Sequence, residues 1–496
     1  MPRTISAKLW IDWSQTGSYV DESINLIDAR GDMRVSPYNS GLAASQGLIS
    51  SMSVTLRNPN GRYSPQRTDS PLHTWIANGG GYHAPCYLEV SVDGGVTYSR
   101  IFSGVLKLPS ERTMGPESGP TVQLESRSME EYWLQRRIST TQSAFAALHD
   151  NNPTEADVID QFLTAAGVAA VKKSVSRGIF PLPWAWLDDE SAIAECWAVA
   201  AACGGMFYAD PDGLLRYENM STWQTAERST NVQLALSRDS MSDLRWSIDD
   251  RDLHNVVIIE AAPRTLGAVE IVWEPKSFPV VAPGQTRTIS AKFDAPIYAV
   301  YGLQWEAVDD GGRLRSADVS VVSTYNAQRA DLTITNNATV RVLLHPVRIV
   351  GVPVVGGPEI EEKVSSAQQG QNASWFAARG DRTLSVRSNV YVQSNTHARS
   401  MAQYLLDRCE YARLTALASG VPGVPSLRLG DRVSIADAPT MSSAFVGYLI
   451  GISWRLSPSG FAQDLEIIQA SQMYRHDNNY FRLGTDTVGS TRRIFY

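Results

Sequence analysis

The sequence predicts a mainly β protein: two related β-barrel domains, a small α+β insertion and an inserted β-sandwich. Three observations predict it. Apolar residues alternate with polar ones in short runs near both ends of the chain. The period changes to that of a helix in the stretch after residue 150. A five-residue pattern near the start, Phe102-Ser-Gly104-Val-Leu106, returns near the end as Phe445-Val-Gly447-Tyr-Leu449.

Ile5, Ala7, Leu9 and Ile11 alternate with mostly polar positions, the pattern of a half-buried strand. Ser51 to Arg57 repeats the alternation and stops at Asn58-Pro59-Asn60-Gly61, a turn whose glycine tolerates a positive φ. Tyr87 to Val92, Asp93-Gly94-Gly95, and Val96 to Leu106 read as two strands joined by a tight loop. Thr121 to Glu125 adds another strand, so 1–140 is expected to form an N-terminal barrel.

Residues 141–250 read as the α+β insertion. Thr154 precedes Glu155 and Asp157 as a helix cap, Val158, Ile159, Phe162 and Leu163 share one face, and Gly167 ends the helix. A second helix begins near Asp188-Asp189-Glu190, whose carboxylates suit a helix N-terminus, and runs to Gly204-Gly205. A hairpin follows around Asp210-Pro-Asp-Gly213. Strands return at Val256 to Ile259, and their short spacing predicts a sandwich over 251–345, with Asn336-Asn337 turning its last pair. Gly356 to Gly380 reads as a linker. The segment 346–470 is expected to be the C-terminal barrel, with a helix from His397 to Ala418, and 471–496 an extended arm.

Composition excludes several classes. The chain has 496 residues, 43% of them hydrophobic and 19% charged, enough apolar content to fill large cores. At roughly 100–200 residues per domain, this length predicts three or four domains. A formal charge of −7 has the wrong sign for a protein held to nucleic acid by phosphate neutralisation. No run approaches the ~18 apolar residues of a membrane helix; the Ala-rich stretch from Ala192 carries Glu195. The N-terminus has no apolar core and no small-residue cleavage site that would target it for secretion, and no stable membrane anchor is expected. Four cysteines (Cys86, Cys196, Cys203 and Cys409) are too few for a disulfide framework; Cys196 and Cys203, seven apart in an apolar helical stretch, read as buried inert thiols, and the chain as one folded in a reducing cytoplasm.

Chemistry-bearing constellations are sparse. Seven histidines lack HxH or HExxH spacing, and no GxSxG, P-loop or dinucleotide glycine pattern is present. Asp188/Asp189/Glu190, Asp249/Asp250/Asp252 and Asp309/Asp310 sit side by side, whereas a glycosidase needs carboxyls facing across a cleft. Asp210-Pro-Asp-Gly213 opens like a calcium loop without the closing Glu, and reads as a hairpin turn. No cofactor, metal or catalytic residue is therefore expected. Pro181-Leu-Pro-Trp184-Ala-Trp186 supports the alternative of a glycan-binding or glycan-cleaving β-sandwich protein acting at the cell surface; a loop packed on the next helix is the plainer reading.

Four ordered stretches carry a resemblance. They are Ser53 to Pro65 with Phe102-Ser-Gly104; Trp197 to Tyr217 through Cys203-Gly-Gly and Asp210-Pro-Asp-Gly213; Leu427-Arg-Leu-Gly430-Asp431-Arg-Val; and Tyr448 to Trp454 with Gly460 to Glu466. In this order the chain resembles the tail hub (baseplate hub or tail-tip hub) proteins of tailed bacteriophages and phage-like particles. The resemblance implies a structural homotrimer in the virion, made in the host cytoplasm. Two related barrels per subunit form a pseudo-sixfold ring at the distal end of the tail tube, through which DNA passes on genome ejection. Its implied partners are tail-tube, tape measure and tail fibre or tip proteins, without specific nucleic-acid binding. The 251–345 segment has no counterpart in that resemblance.

The arm has its own signature. Four arginines against two aspartates give 471–496 a side-chain balance of +2, while the rest of the chain carries 40 basic and 49 acidic residues. Tyr480 and Phe481 near its start, and Arg492, Arg493, Phe495 and Tyr496 at its end, are candidate docking residues: aromatics fill pockets and arginines steer towards an acidic neighbour.

Overall fold

Alternation at both ends of the chain becomes one 14-stranded sheet. The computed structural model describes residues 4–35, 49–73, 83–107, 110–112, 120–140, 153–249, 253–366, 377–386, 389–410, 413–437, 439 and 441–470. Strands make up 48% of the structure and helices 18%, the mainly β class that the sequence predicts.

From the N-terminal part come β1 (Ser6–Ile11), β2 (Val20–Asp21), β3 (Leu26–Arg34), β4 (Ser51–Arg57), β5 (Pro85–Ser91), β6 (Ser99–Leu106), β7 (Ser110–Arg112) and β8 (Thr121–Ser128). Later segments supply β9 (Val232–Ser237), β10 (Asp243–Asp249), β11 (Arg413–Pro422), β12 (Arg432–Ala436), β13 (Phe445–Ser457) and β14 (Gly460–Gln469). The order across the sheet is β10-β11-β14-β13-β3-β4-β8-β6-β5-β1-β2, with β12 on β13, β9 on β12 and β7 on β8.

This order contains two circuits. In the first, β3-β4-β8-β6-β5-β1-β2 returns to its starting segment, because only a short turn, Ser23–Asn25, separates β2 from β3. In the second, β10-β11-β14-β13-β12-β9 does the same, with Arg238–Ser240 between β9 and β10. A single apolar core fills both and draws on Leu9, Leu56, Leu88 and Leu124 from one, and on Val433, Leu449, Leu465 and Ile467 from the other.

The segment between the circuits starts as its capping residues predict. Helix α1 (Glu155–Ala165) begins with a reciprocal box between Thr154 and Asp157. Helix α2 (Ala192–Ala202) and helix α3 (Asn395–Cys409) pack with α1 into a second core containing Phe162, Ile193, Val199, Met401 and Leu406. The helix expected to reach Ala418 stops at Cys409. Beyond it Leu414, Ala416 and Ala418 have period two, and β11 pairs with β10 and β14. The linker expected from Gly356 contains a strand, Ile360–Ser365, which pairs antiparallel with Val256–Ala261 against α3.

The inserted β unit has two sheets. Val342–Gly356 pairs with four shorter partners, including Ile297–Asp309, while Arg329–Asn336 lies between Thr286–Lys292 and Val319–Tyr325. Asn336 therefore crosses between sheets and does not turn a hairpin. Its side-chain amide donates to the carbonyls of Val281 (3.0 Å) and Val340 (2.9 Å), holding the crossing in place.

Candidate assembly interface

The two circuits repeat one register. Gly104 of β6 lies opposite Ser128, and Leu124 lies four residues before that partner; Gly447 of β13 lies opposite Gln469, four residues after Leu465. Leu124 and Leu465 are both fully buried, and each glycine is required by close approach. A Cβ on Gly104 would fall 2.0 Å from the Arg127 carbonyl oxygen, and one on Gly447 2.3 Å from that of Ile468. Each of those oxygens belongs to the residue just before the glycine's cross-strand partner. The echo seen in the sequence is thus a shared backbone position.

Further along, both ladders take up an extra residue. From Gly104 to Ser110 is six residues, matched by five on β8 (Ser128 back to Gln123). From Gly447 to Ser453 is also six, matched by five on β14 (Gln469 back to Asp464). On β13 the extra residue is a bulge between Leu449 and Gly451, and such a bulge bends a strand away from its first neighbour. The bent end of β13 leaves β12 and pairs with β3, from Gly451 opposite Arg34 to Leu456 opposite Ala29. This joint makes two circuits into one sheet.

Its two faces differ. On the core side Ile452, Trp454 and Leu456 of β13 are buried with Ala29 and Met33 of β3. A Cβ on Gly31 would come within 2.5 Å of the Trp454 ring, so a glycine there admits the indole. On the other side an open groove of about 640 Å³ is lined by Arg30, Arg127 and Arg455 together with Asp32, Glu125 and Asp464. Arg34 pairs with Glu466 at 2.9 Å, and the Ser51 hydroxyl donates to Asp32. Equal numbers of cations and carboxylates give that face a wettable surface with little net field.

The motifs behind the resemblance do structural work. The Asn58 side-chain oxygen accepts from the Tyr63 backbone N–H (2.8 Å), turning the chain so that Tyr63 enters the core. There the phenol donates to Glu22, whose carboxylate also accepts from Trp13 (2.8 Å) and pairs with Arg62 (2.7 Å). Burial and the adjacent Glu22 carboxylate push the Tyr63 phenol well above its ordinary range. Asp210 accepts from the backbone N–H groups of Asp212 and Leu214, both at 2.9 Å, and from Arg216 at 2.6 Å. That is a hairpin turn with its acid already partnered. Asp431, in the third motif, is buried and paired with Arg228 at 2.5 Å.

Residues singled out for chemistry are mostly absorbed into packing. Among the described residues no group of three or more His, Cys, Asp or Glu could hold a metal. All four cysteines are buried, and burial pushes the Cys86 thiol up to about 12. His397 stacks on Phe180 (centroids 4.3 Å apart), with Nε2 3.0 Å from the Ala202 carbonyl; burial lowers its pKa to about 4. Trp184 is buried, its backbone N–H donating to Gln393 (3.2 Å), and it meets Tyr298 edge-on. Trp186 lies beside Arg264, 4.5 Å from ring centroid to guanidinium. Burial closes the Trp184 indole to stacking on a sugar, whereas Trp186 is half-buried. Tyr480, Phe481, Arg492, Arg493, Phe495 and Tyr496 lie outside the described residues. The β13–β3 joint is what sequence reading missed; the one signal for it was Ile452, Trp454 and Leu456 extending the alternation of β13 past its hairpin partner.

No protein-family model matches the chain, and no curated protein matches it either. Among solved structures it is similar to a tail protein from Neisseria meningitidis MC58, with 10% identity and a TM-score of 0.49 over 95% of this chain and 98% of that one. It is also similar to the 43 kDa tail protein of prophage MuSo2 from Shewanella oneidensis, with 12% identity and a TM-score of 0.47 over 95% and 99%. A third is an E. coli component of the type VI secretion system, described as similar to the T4 bacteriophage tail proteins gp27 and gp5. There the identity is 8% and the TM-score 0.39 over 94% of this chain and 78% of that one.

Proposed function

We propose that the chain is a structural phage tail hub protein, a homotrimer whose six circuits form a pseudo-sixfold ring at the distal end of the tail tube. The observation that carries this reading is the duplicated circuit: one chain supplies two copies of one strand order, joined edge to edge. Three such chains present six near-equivalent units, the number needed to mate with a sixfold tube. A closed ring also leaves no open sheet edge to aggregate. The polar face with mixed charge suits a wall past which a hydrated cargo moves without sticking. The role is non-enzymatic and places the chain in the virion, between the tube and the tip or fibre apparatus.

The arm 471–496 fits this role as a tie to an adjacent subunit or tail protein, through Tyr480, Phe481, Arg492, Arg493, Phe495 and Tyr496. Mass photometry of the purified chain tests the ring: particles of three times the 54.4 kDa chain mass are expected, and a monomer at micromolar concentration refutes it. Removing 471–496 should leave the protomer folded and reduce particle assembly. Normal assembly and infectivity without the arm would take that role from it.

A further inference from the structure

Each circuit has one edge that gives a strand end and one that receives it. The giving edge is the strand end beyond the extra residue: the end of β13 in the C-terminal circuit, and β7 in the N-terminal one. The receiving edge is β3 in the N-terminal circuit and β10 in the C-terminal one, because both follow the segment that closes the circuit and pair with β4 or β11. Within the chain β13 gives to β3. Among the described residues β7 pairs only with β8, and β10 only with β11. One giving edge and one receiving edge are left.

We propose that β7 of one copy pairs antiparallel with β10 of the next copy, repeating the β13–β3 joint between subunits. This rests on the ring reading above and names the surfaces that would close it. The register follows from the two ladders. Leu124 and Leu465 are equivalent, so Ser110, Glu111 and Arg112 correspond to Ser453, Trp454 and Arg455. Val54 lies opposite Leu124, with Ala29 opposite Val54; Ala418 lies opposite Leu465, with Leu244 opposite Ala418. Arg245, Trp246, Ser247 and Ile248 therefore correspond to Arg30, Gly31, Asp32 and Met33. Ser453 faces Asp32, Trp454 faces Gly31 and Arg455 faces Arg30 in the internal joint. Between copies, Ser110 then faces Ser247, Glu111 faces Trp246 and Arg112 faces Arg245.

Burial marks the vacancy. Met33, beneath the internal joint, is 7% exposed; Ile248, its counterpart on β10, is 70% exposed. The aromatic also changes sides. The internal joint sets Trp454 of the giving strand over a glycine, while at the free edges the receiving strand carries the indole, Trp246, held edge-on to Phe445 at 4.9 Å. Each joint then has one tryptophan. The facing arginines repeat Arg455 and Arg30, and Arg245 already has Asp243 at 2.7 Å to balance it.

Directly opposed strand residues have Cβ atoms ~4.5–5.5 Å apart, within reach of a disulfide. The full-length chain carrying both Ser110→Cys and Ser247→Cys should therefore oxidise to a covalent trimer on a non-reducing gel, while either substitution alone gives none. Ile248→Asp, at a site exposed in the protomer, should keep the circular dichroism of the parent chain and weaken association at least about tenfold by burying an unpaired charge. A trimer by mass photometry without a cross-link in the double variant would overturn the β7–β10 contact and leave the ring standing. Cross-linking by Ser247→Cys alone would overturn it in favour of a two-fold contact. A monomeric parent chain would remove both the contact and the ring.

Discussion

The N-terminal and C-terminal circuits share strand order, a blocked glycine, a buried leucine and a one-residue offset of register, yet differ by one strand. In the C-terminal circuit β9 lies directly on β12 and runs parallel to it. In the N-terminal circuit β1 is interposed: β2 pairs antiparallel with β1, and β1 antiparallel with β5. Adding one antiparallel strand reverses the sense of the next contact, so the parallel pair in one half and the antiparallel pairs in the other are the same path with and without an insertion. The features kept in common surround the joint, and the comparison locates what the fold cannot vary.

The strongest way to break the equivalence is to fill the glycines. Gly104→Val and Gly447→Val each place side-chain atoms against a neighbouring carbonyl and should cost about 3 kcal/mol or more. Chemical denaturation of the two variants checks this, and tolerance at one site alone would mean that the positions are not equivalent. Next come the leucines. Leu124→Ala and Leu465→Ala should each destabilise by about 2–5 kcal/mol, and by similar amounts, since both leave a cavity in the shared core. A loss at only one of them would show two independent cores.

A pH experiment separates the circuits from the helical unit. The pKa of His397 is about 4 in the folded chain against 6.5 when unperturbed. The unfolded chain therefore takes up the proton first, and stability present above pH 6.5 is lost as the pH falls towards 4. Between pH 7 and pH 5 that loss should be about 2 kcal/mol. Hydrogen exchange should show it as lost protection in α3, with His397→Gln removing most of the pH dependence. The smallest effect concerns the receiving edges. Met33→Thr should cost about 2 kcal/mol, and Ile248→Thr less than about 0.5 kcal/mol in the isolated protomer, because only Met33 is covered.

Much of the local structure was legible in the chain. The Thr154 cap, the Asp210 hairpin, the strands from Ser51 and Tyr87, and the Gly104/Gly447 echo all rest on interactions among neighbouring residues, which spacing records directly. Trp184 is buried, but against Val354 and Tyr298 of the inserted β unit and not on the next helix, a partner that its neighbours in sequence do not reveal. Alternation, capping residues and the glycine echo by themselves determined that this is a β-rich chain, duplicated around a helical insertion. Only the tertiary structure decided which strands share a sheet. Segment 232–249 joins strands from 413–469 across some 165 intervening residues, and β13 reaches back to β3, more than 400 residues earlier in the chain. Period two says that a strand has a buried face; it carries no information on which edge pairs with which. That choice was made by the fit of Trp454 over Gly31, and by a bulge that turns β13 out of its own circuit.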